Sequence, residues 1–269
     1  MRESVWRDNA VVITGGAKGI GRAMGCELVA QGARVALADI DEPALEEAVA
    51  VCTGRGGRVL GVPTDITSLE ACRVLIETAV AEFGRIDTLI NNAGITHYGR
   101  FDDLRDLAVI ERVMQINLMG SIYCTFYALP HLKASRGRIV ALSSIAGKTG
   151  LPTRTGYTAS KHALVGFFDA LRIELAGDGV SVTMVFPDYV ATTIRETALD
   201  VEGRAMGRST MQESKSMPVE ECAHLTLAAA AARRRQLIMG LRGRLGQVLK
   251  VFAPGLIDRI ALRSVTKGH

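Results

Sequence analysis

Tyr157 and Lys161 stand four residues apart in Tyr157-Thr158-Ala159-Ser160-Lys161, and Ser144 stands thirteen residues before the tyrosine. Residues four apart share one face of a helix, so this spacing would set an ammonium beside a phenol. A free phenol titrates near pH ~10, which leaves about one molecule in a thousand ionised at neutral pH. A cation within ~4–6 Å typically shifts such a group by ~1–3 units toward its charged form. The pattern therefore predicts a phenol able to exchange a proton with an alcohol or a ketone. Tyr-x-x-x-Lys also describes an ordinary aromatic beside a solvated lysine, so the surrounding elements must decide.

Those elements alternate. Ala10–Thr14 is a short apolar run ending in glycines, followed by helical pattern over Gly19–Gln31 and a second strand at Ala33–Ala38. Further strands are expected near Arg58–Val62, Thr88–Asn91, Arg138–Leu142 and Ser181–Phe186, with helices from about Glu42, over Ser68–Phe83, in one long rod ending near Leu132, and over Thr155–Ala176. Short strands separated by helices of this length imply an α/β fold: one Rossmann-type, doubly wound parallel sheet with helices on both faces. Residues 1–240 read as a single dinucleotide-binding and catalytic domain, with 193–217 as a substrate lid and 241–269 as a basic amphipathic extension.

Between the first strand and first helix lies Thr14-Gly15-Gly16-Ala17-Lys18-Gly19-Ile20-Gly21. Glycines there permit a tight turn and let phosphates approach the N–H groups at a helix N-terminus. Asp39, closing the second strand beside Ile40, can accept ribose hydroxyls and would repel a 2′-phosphate, favouring NAD over NADP. Lys18 and Arg22 near the same turn argue the other way. Asn91-Asn92-Ala93-Gly94 ends a later strand on the side where parallel sheets bind ligands.

With these segments in place, the chain resembles the short-chain dehydrogenase/reductase family over roughly residues 8–195. The resemblance rests on the glycine-rich turn, Asp65-Ile66, Asn91–Gly94, Asn117, Ser143-Ser144, Tyr157…Lys161 and Pro187…Thr192. It implies an oxidoreductase that moves hydride between a nicotinamide and a secondary alcohol or ketone. Tyr157 would be the proton donor or acceptor, Ser144 would orient the substrate oxygen, and Lys161 would hold the nicotinamide ribose and lower the Tyr157 pKa. Asn117 would hold a water in a proton relay. Thr14, Gly15, Lys18, Gly19, Ile20 and Gly21 would bind the coenzyme, as would Asp39, Ile40, Asp65, Ile66, Asn91, Ala93, Gly94, Val113, Pro187, Val190 and Thr192. One departure is Asp188 in Pro187-Asp188-Tyr189-Val190-Ala191-Thr192, where the family usually has glycine; its carboxylate would favour the oxidised, positively charged nicotinamide. Dimers or tetramers through the fifth and sixth helices are the family habit.

The substrate side is less specified. His97, Tyr98, Leu151, Pro152, Tyr189, Met206, Met211 and Met217 fall on segments expected to line or cover the pocket, and adaptable methionines suit a lipophilic alcohol or ketone. Alternatives are a catalytically silent nucleotide-binding sensor, or a peripheral membrane scaffold whose working part is the tail.

Bulk properties exclude several other classes. Hydrophobic content of 48% and charged content of 22% are ordinary for a soluble globular chain. No segment nears the ~20 apolar residues of a membrane span, and no secretory signal is expected. Cys26, Cys52, Cys72, Cys124 and Cys222 show neither CxxC pairs nor accompanying histidines, so they read as reduced thiols of a cytoplasmic protein, without disulfide or metal. Residues 233–269 carry nine Lys/Arg against Asp258 alone, while the preceding 232 residues hold 23 basic and 27 acidic side chains. Leu245, Val248, Leu249 and Phe252 follow helical spacing in that tail, and Leu256, Ile257 and Ile260 continue it. This face would pack on the body, on a partner subunit, or in a lipid interface with arginines at the headgroups. The tail resembles membrane-associated members of the family, including 11-beta-hydroxysteroid dehydrogenase and dehydrogenase/reductase member-seven-like relatives. Nucleic acid is not expected, because no recognition motif accompanies the charge.

Overall fold

The structure is a computed structural model that describes residues 4–207 and 216–266. Seven strands pair in parallel throughout: β1 (Ala10–Thr14), β2 (Arg34–Asp39), β3 (Val59–Pro63), β4 (Thr88–Asn91), β5 (Arg138–Leu142), β6 (Ser181–Phe186) and β7 (Gln236–Ile238). Their order is β3-β2-β1-β4-β5-β6-β7, so the winding reverses between β1 and β4. A crevice opens at such a reversal, outside the carboxyl ends of the strands. β1, β4 and β5 are buried along their whole length, which explains their continuous apolar runs.

Helices cover both faces. On one side α3 (Leu69–Phe83), α5 (Ser121–Ser135) and α6 (Thr155–Glu174) bury Leu75, Leu132, Leu164 and Phe168 against the sheet. On the other, α1 (Gly19–Ala30), α2 (Glu42–Thr53) and α7 (Val219–Ala231) enclose Met24, Leu28, Leu45 and Leu227. Local chemistry sets the ends. Asp41 caps α2 by accepting from the Ala44 N–H at 3.2 Å, with Pro43 in the first turn. Ser68 does the same for α3 through the Ala71 N–H at 3.2 Å, and Gly84 ends it at φ 77°.

Two expectations change. The long rod ending near Leu132 divides into α4 (Ala108–Met114), a π-helical turn at Gln115–Gly120 and α5. A widened turn lets the Asn117 side chain leave the helix and bond the Ile95 backbone twice. Gly120 meanwhile lies against Ile66, whose Cδ1 would be 2.6 Å from any added Cβ. The second change is a disulfide between Cys26 of α1 and Cys52 of α2, with Cα atoms 4.4 Å apart. Local spacing could not announce it, because side-by-side packing of two helices across 26 residues brings the thiols together. Cys72, Cys124 and Cys222 are free and buried.

The tail forms α8 (Leu241–Phe252) and α9 (Pro254–Thr266). Gly243 seats α8 on Ile145, and the Lys250 ammonium donates to the Lys148 carbonyl at 2.8 Å. Farther along, Val251 is 76% and Phe252 81% exposed. No helix among the described residues is long and apolar enough to cross a membrane.

Candidate active site

A cleft of about 440 Å³ lies at the carboxyl ends of the strands. Its wall takes in Gly15, Lys18, Gly19, Ile20, Asp39 and Ile40 from the β1 and β2 ends, Ala93 and Gly94 after β4, and Ser144 after β5. Tyr157 and Lys161 come from α6, and Pro187, Asp188, Val190 and Thr192 from the loop after β6.

Thr14 ties β1 to β4 just behind that wall. Its hydroxyl oxygen accepts from the Asn92 and Ala93 N–H groups at 3.1 and 3.2 Å, while the Asn92 amide donates to Thr14 and Gly15 carbonyls, both at 2.9 Å. Asn92 is thus a structural clasp that residue-type reasoning overlooked inside a motif it had found. Gly15 adopts φ 64°, and a Cβ there would strike the Ala93 Cα at 2.8 Å. At Gly21 a Cβ would meet the Gly15 carbonyl oxygen at 2.0 Å, so that glycine is needed for turn packing and lies off the wall. The α1 N-terminus has no side-chain cap, because Lys18 at the cap position makes no such bond. Uncapped N–H groups facing a glycine-lined cleft fit a pyrophosphate.

Asp39 accepts from the Ala17 N–H at 3.1 Å and the Asp41 N–H at 3.2 Å, which fixes its carboxylate at the rim. Lys18 pairs with Asp41 at 2.5 Å and Arg22 with Glu47 at 3.1 Å, so both cations near the turn face carboxylates. Asp65 is exposed and closes its own turn through Thr67, Ile66 and Val113 are buried, and none of the three reaches the described cleft. Asn91 also sits behind the wall, donating to the Thr125 hydroxyl at 3.0 Å. These polar fittings match a dinucleotide laid from the β2 end toward α6.

At the other end Asn117, Ser144, Tyr157 and Lys161 converge from three elements. Asn117 is 1% exposed; its amide donates to the Ile95 carbonyl and the Ser160 hydroxyl, both at 2.9 Å, and its oxygen accepts from the Ile95 N–H at 2.8 Å. Ser160 passes the link to the Tyr157 carbonyl at 2.8 Å. Ser144 begins a short turn by accepting from the Ala146 N–H at 3.2 Å. The absence of a side chain at Gly94 leaves room beside Asn117 and Lys161, whose Oδ1 and Nζ would lie 3.0 and 3.4 Å from an added Cβ.

Electrostatics here depart from the expectation that Lys161 lowers the phenol pKa. Burial is the largest influence on Tyr157 and raises it; a Ser144 hydrogen bond and then the charges of Arg154 and Arg195 act in the opposite direction. Lys161 is itself enclosed. Its ammonium lies 5.8 Å from the Tyr157 ring centroid and donates to the Leu142 carbonyl at 2.9 Å. Desolvation brings its pKa down to about 8. The ammonium is turned to the Leu142 carbonyl, and Lys161 is not among the groups that set the Tyr157 shift.

His97 is another correction. It neither lines the cleft nor lies at the surface, being fully buried, with Nε2 accepting from the Gly156 N–H at 2.9 Å at the start of α6. Burial, then the Arg154 charge, holds its imidazole below the ordinary value. Leu151 and Tyr189 reach the cleft; Tyr98, Pro152, Met206 and Met217 do not, and Met211 lies outside the described residues. Arg154 and Arg195, which do reach it, carry no sequence signal of their own.

The short chain dehydrogenase family pattern matches residues 9–202, and the chain belongs to that family. It is 32% identical over 255 residues to 11-beta-hydroxysteroid dehydrogenase 1A of Arabidopsis thaliana, covering 92% of this chain and 73% of that one. It is 30% identical to 11-beta-hydroxysteroid dehydrogenase of Pinus massoniana, over 92% of this chain and 71% of the relative. Among solved structures it superposes on a short chain dehydrogenase/reductase from Burkholderia phymatum in complex with NAD, with TM-score 0.84 and 26% identity, covering 95% of this chain and 96% of that chain. The protein is accordingly an oxidoreductase that uses a nicotinamide dinucleotide and acts on a small molecule.

Proposed function

We propose that the protein interconverts a secondary alcohol and a ketone, with Tyr157 as the proton-transfer group and NAD as the preferred coenzyme. The convergence of Ser144, Tyr157 and Lys161 on one cleft that also holds the glycine-rich turn and Asp39 carries this reading. When bound in this cleft, the coenzyme would supply or accept the hydride. Tyr157, held protonated by burial, donates to the carbonyl oxygen in reduction and takes the proton back in oxidation. Ser144 bonds the same oxygen and steadies its developing charge. Lys161 would hold the nicotinamide ribose, and Asn117 keeps the Ile95 loop and α6 in register so that the proton has a fixed path. Ile95, Leu142, Ile145, Leu151 and Ile194 make the substrate end apolar, which suits a lipophilic carbon skeleton. A silent sensor is disfavoured, because such a role needs none of the four polar side chains that converge here.

NAD is favoured because Asp39 stands at the rim while the neighbouring cations are paired with Asp41 and Glu47. Asp39→Ala should raise the NADPH-over-NADH preference by about tenfold or more, the scale of removing one close like-charge contact. Steady-state rates with both reduced coenzymes, on a panel of steroids, secondary alcohols and long-chain ketones, test the pair of claims. An unaltered preference would remove Asp39 from coenzyme selection.

The tail supports a second reading. We propose that α8 and α9 rest on an anionic lipid surface, with α8 still seated on the body through Gly243 and Lys250. Leu245, Val248, Val251, Phe252, Leu256 and Ile260 remain outward, and the segment's positive surplus complements anionic headgroups. Co-sedimentation with phosphatidylcholine vesicles is expected only when phosphatidylserine is included, and Val251→Glu with Phe252→Glu should abolish it. Equal recovery with both vesicle types would reject an anionic surface; a dimer disrupted by the two substitutions would assign the face to a second copy.

A further inference from the structure

Several arginines elsewhere have carboxylate or backbone partners: Arg58 pairs with Glu82, Arg85 with Asp87 and Arg204 with Asp200, while Arg34 and Arg233 donate to backbone carbonyls. Two on the cleft wall do not. Arg195 is only 8% exposed, yet among the described residues its guanidinium makes no hydrogen bond or ion pair and lies over the Tyr189 ring, 5.3 Å from the centroid. Arg154 hydrogen-bonds the Tyr98 hydroxyl and stacks on that ring at 4.0 Å, likewise without a carboxylate among the described residues. A guanidinium stays charged in any protein environment, and removing it from water without an anion is unfavourable; a ring face compensates only in part.

The carboxylates on the same wall are spoken for. Asp39 and Asp41 belong to the β2 end, bonded to the glycine-rich turn and to Lys18. Asp188 lies beside Gly240 and has a partner of its own. Arg154 precedes α6 and Arg195 follows the β6 loop, so they approach the reacting end from two sides of the cleft. Both are near enough to Tyr157 for their charge to be felt at the phenol.

We propose that Arg154 and Arg195 form a carboxylate subsite, so that the substrate is an apolar hydroxy acid or oxo acid. The position of its reacting oxygen rests on Tyr157 acting as described above. The aromatic rings hold each guanidinium fork in place, and an incoming carboxylate completes the charge-assisted hydrogen bonds that the protein leaves open. The apolar residues Ile95, Leu142, Ile145, Leu151 and Ile194 of the same cleft then accommodate the carbon chain.

The test uses the full chain saturated with NAD⁺, to which oxo compounds bind without turnover. Oxo acids of graded chain length and their methyl esters are titrated by calorimetry. At the best length the acid should bind at least about tenfold tighter than its ester, as one strong charged contact implies. Arg195→Ala should bring that ratio near one, and Arg154→Ala should lower it. Equal binding of acid and ester at every length overturns the proposal. So does Arg195→Ala that weakens NAD⁺ binding while keeping the acid preference, which would assign the guanidinium to coenzyme phosphate. Because binding is read without chemistry, a failure of Tyr157 as the proton-transfer group would leave this result standing.

Discussion

Tyr157→Phe should lower kcat by about 10²–10⁴-fold, the usual span for loss of a positioned proton-transfer group. The substitution deletes one hydroxyl and keeps the ring that packs with Val113 and Ala146, so the fold should survive. Coenzyme affinity, read by NADH fluorescence, should stay within about twofold, since the effect belongs to the chemical step. Equal turnover by wild type and variant on the best substrate would reject Tyr157 as the acid. The parent enzyme should also oxidise alcohols faster as pH rises, because burial holds the phenol protonated and removal of that proton limits the base form. Phenylalanine at 157 should flatten that rise.

Lys161→Met should separate stability from function. Lys161 is 4% exposed and its pKa is about 8 against an ordinary 10.5, so the folded chain binds fewer protons than the unfolded one between those values. A base depressed in the folded state makes stability rise with pH across that window, by ~3 kcal/mol in total. Below pH 8 the charged ammonium is present in both states and the whole burial penalty remains. Methionine removes the charge while filling similar volume, though the Leu142 carbonyl loses its 2.9 Å donor. With about 1 kcal/mol lost there, coenzyme-free protein at pH 7 should melt about 2–6 °C higher. Turnover should fall at least about a hundredfold, because the ribose contact and the proton path go together. Thermal melts across pH 7–10.5 provide the check: the variant should show a weaker upward slope than the parent. A lower melting temperature at pH 7 combined with an unchanged slope would show that the ammonium is not strained by burial.

Much of the architecture could be read from residue order. Continuous apolar runs at 10–14, 88–91 and 138–142 mark strands buried on both sides, and the helix-length intervals between them require parallel crossovers. The glycine-rich turn, Asp39 and the Ser144, Tyr157, Lys161 spacing were legible because each depends on neighbours along one turn, strand end or helix face. Local backbone geometry converts such spacing directly into proximity.

The rest arises where distant segments meet. Cys26 and Cys52 pair because α1 and α2 lie side by side, and His97 is buried because its ring reaches back to the Gly156 amide. Arg154 and Arg195 share a wall only because the segment before α6 and the segment after β6 line the same cleft. Lys161 shows the distinction within a single residue. Its place one turn after Tyr157 was set by covalent spacing, whereas its turn toward Leu142 and its weakened hold on a proton came from the enclosing walls. Sequence determined which groups could do chemistry; tertiary packing decided their charge and partners, because desolvation is set by everything that excludes water and not by the next residue along the chain.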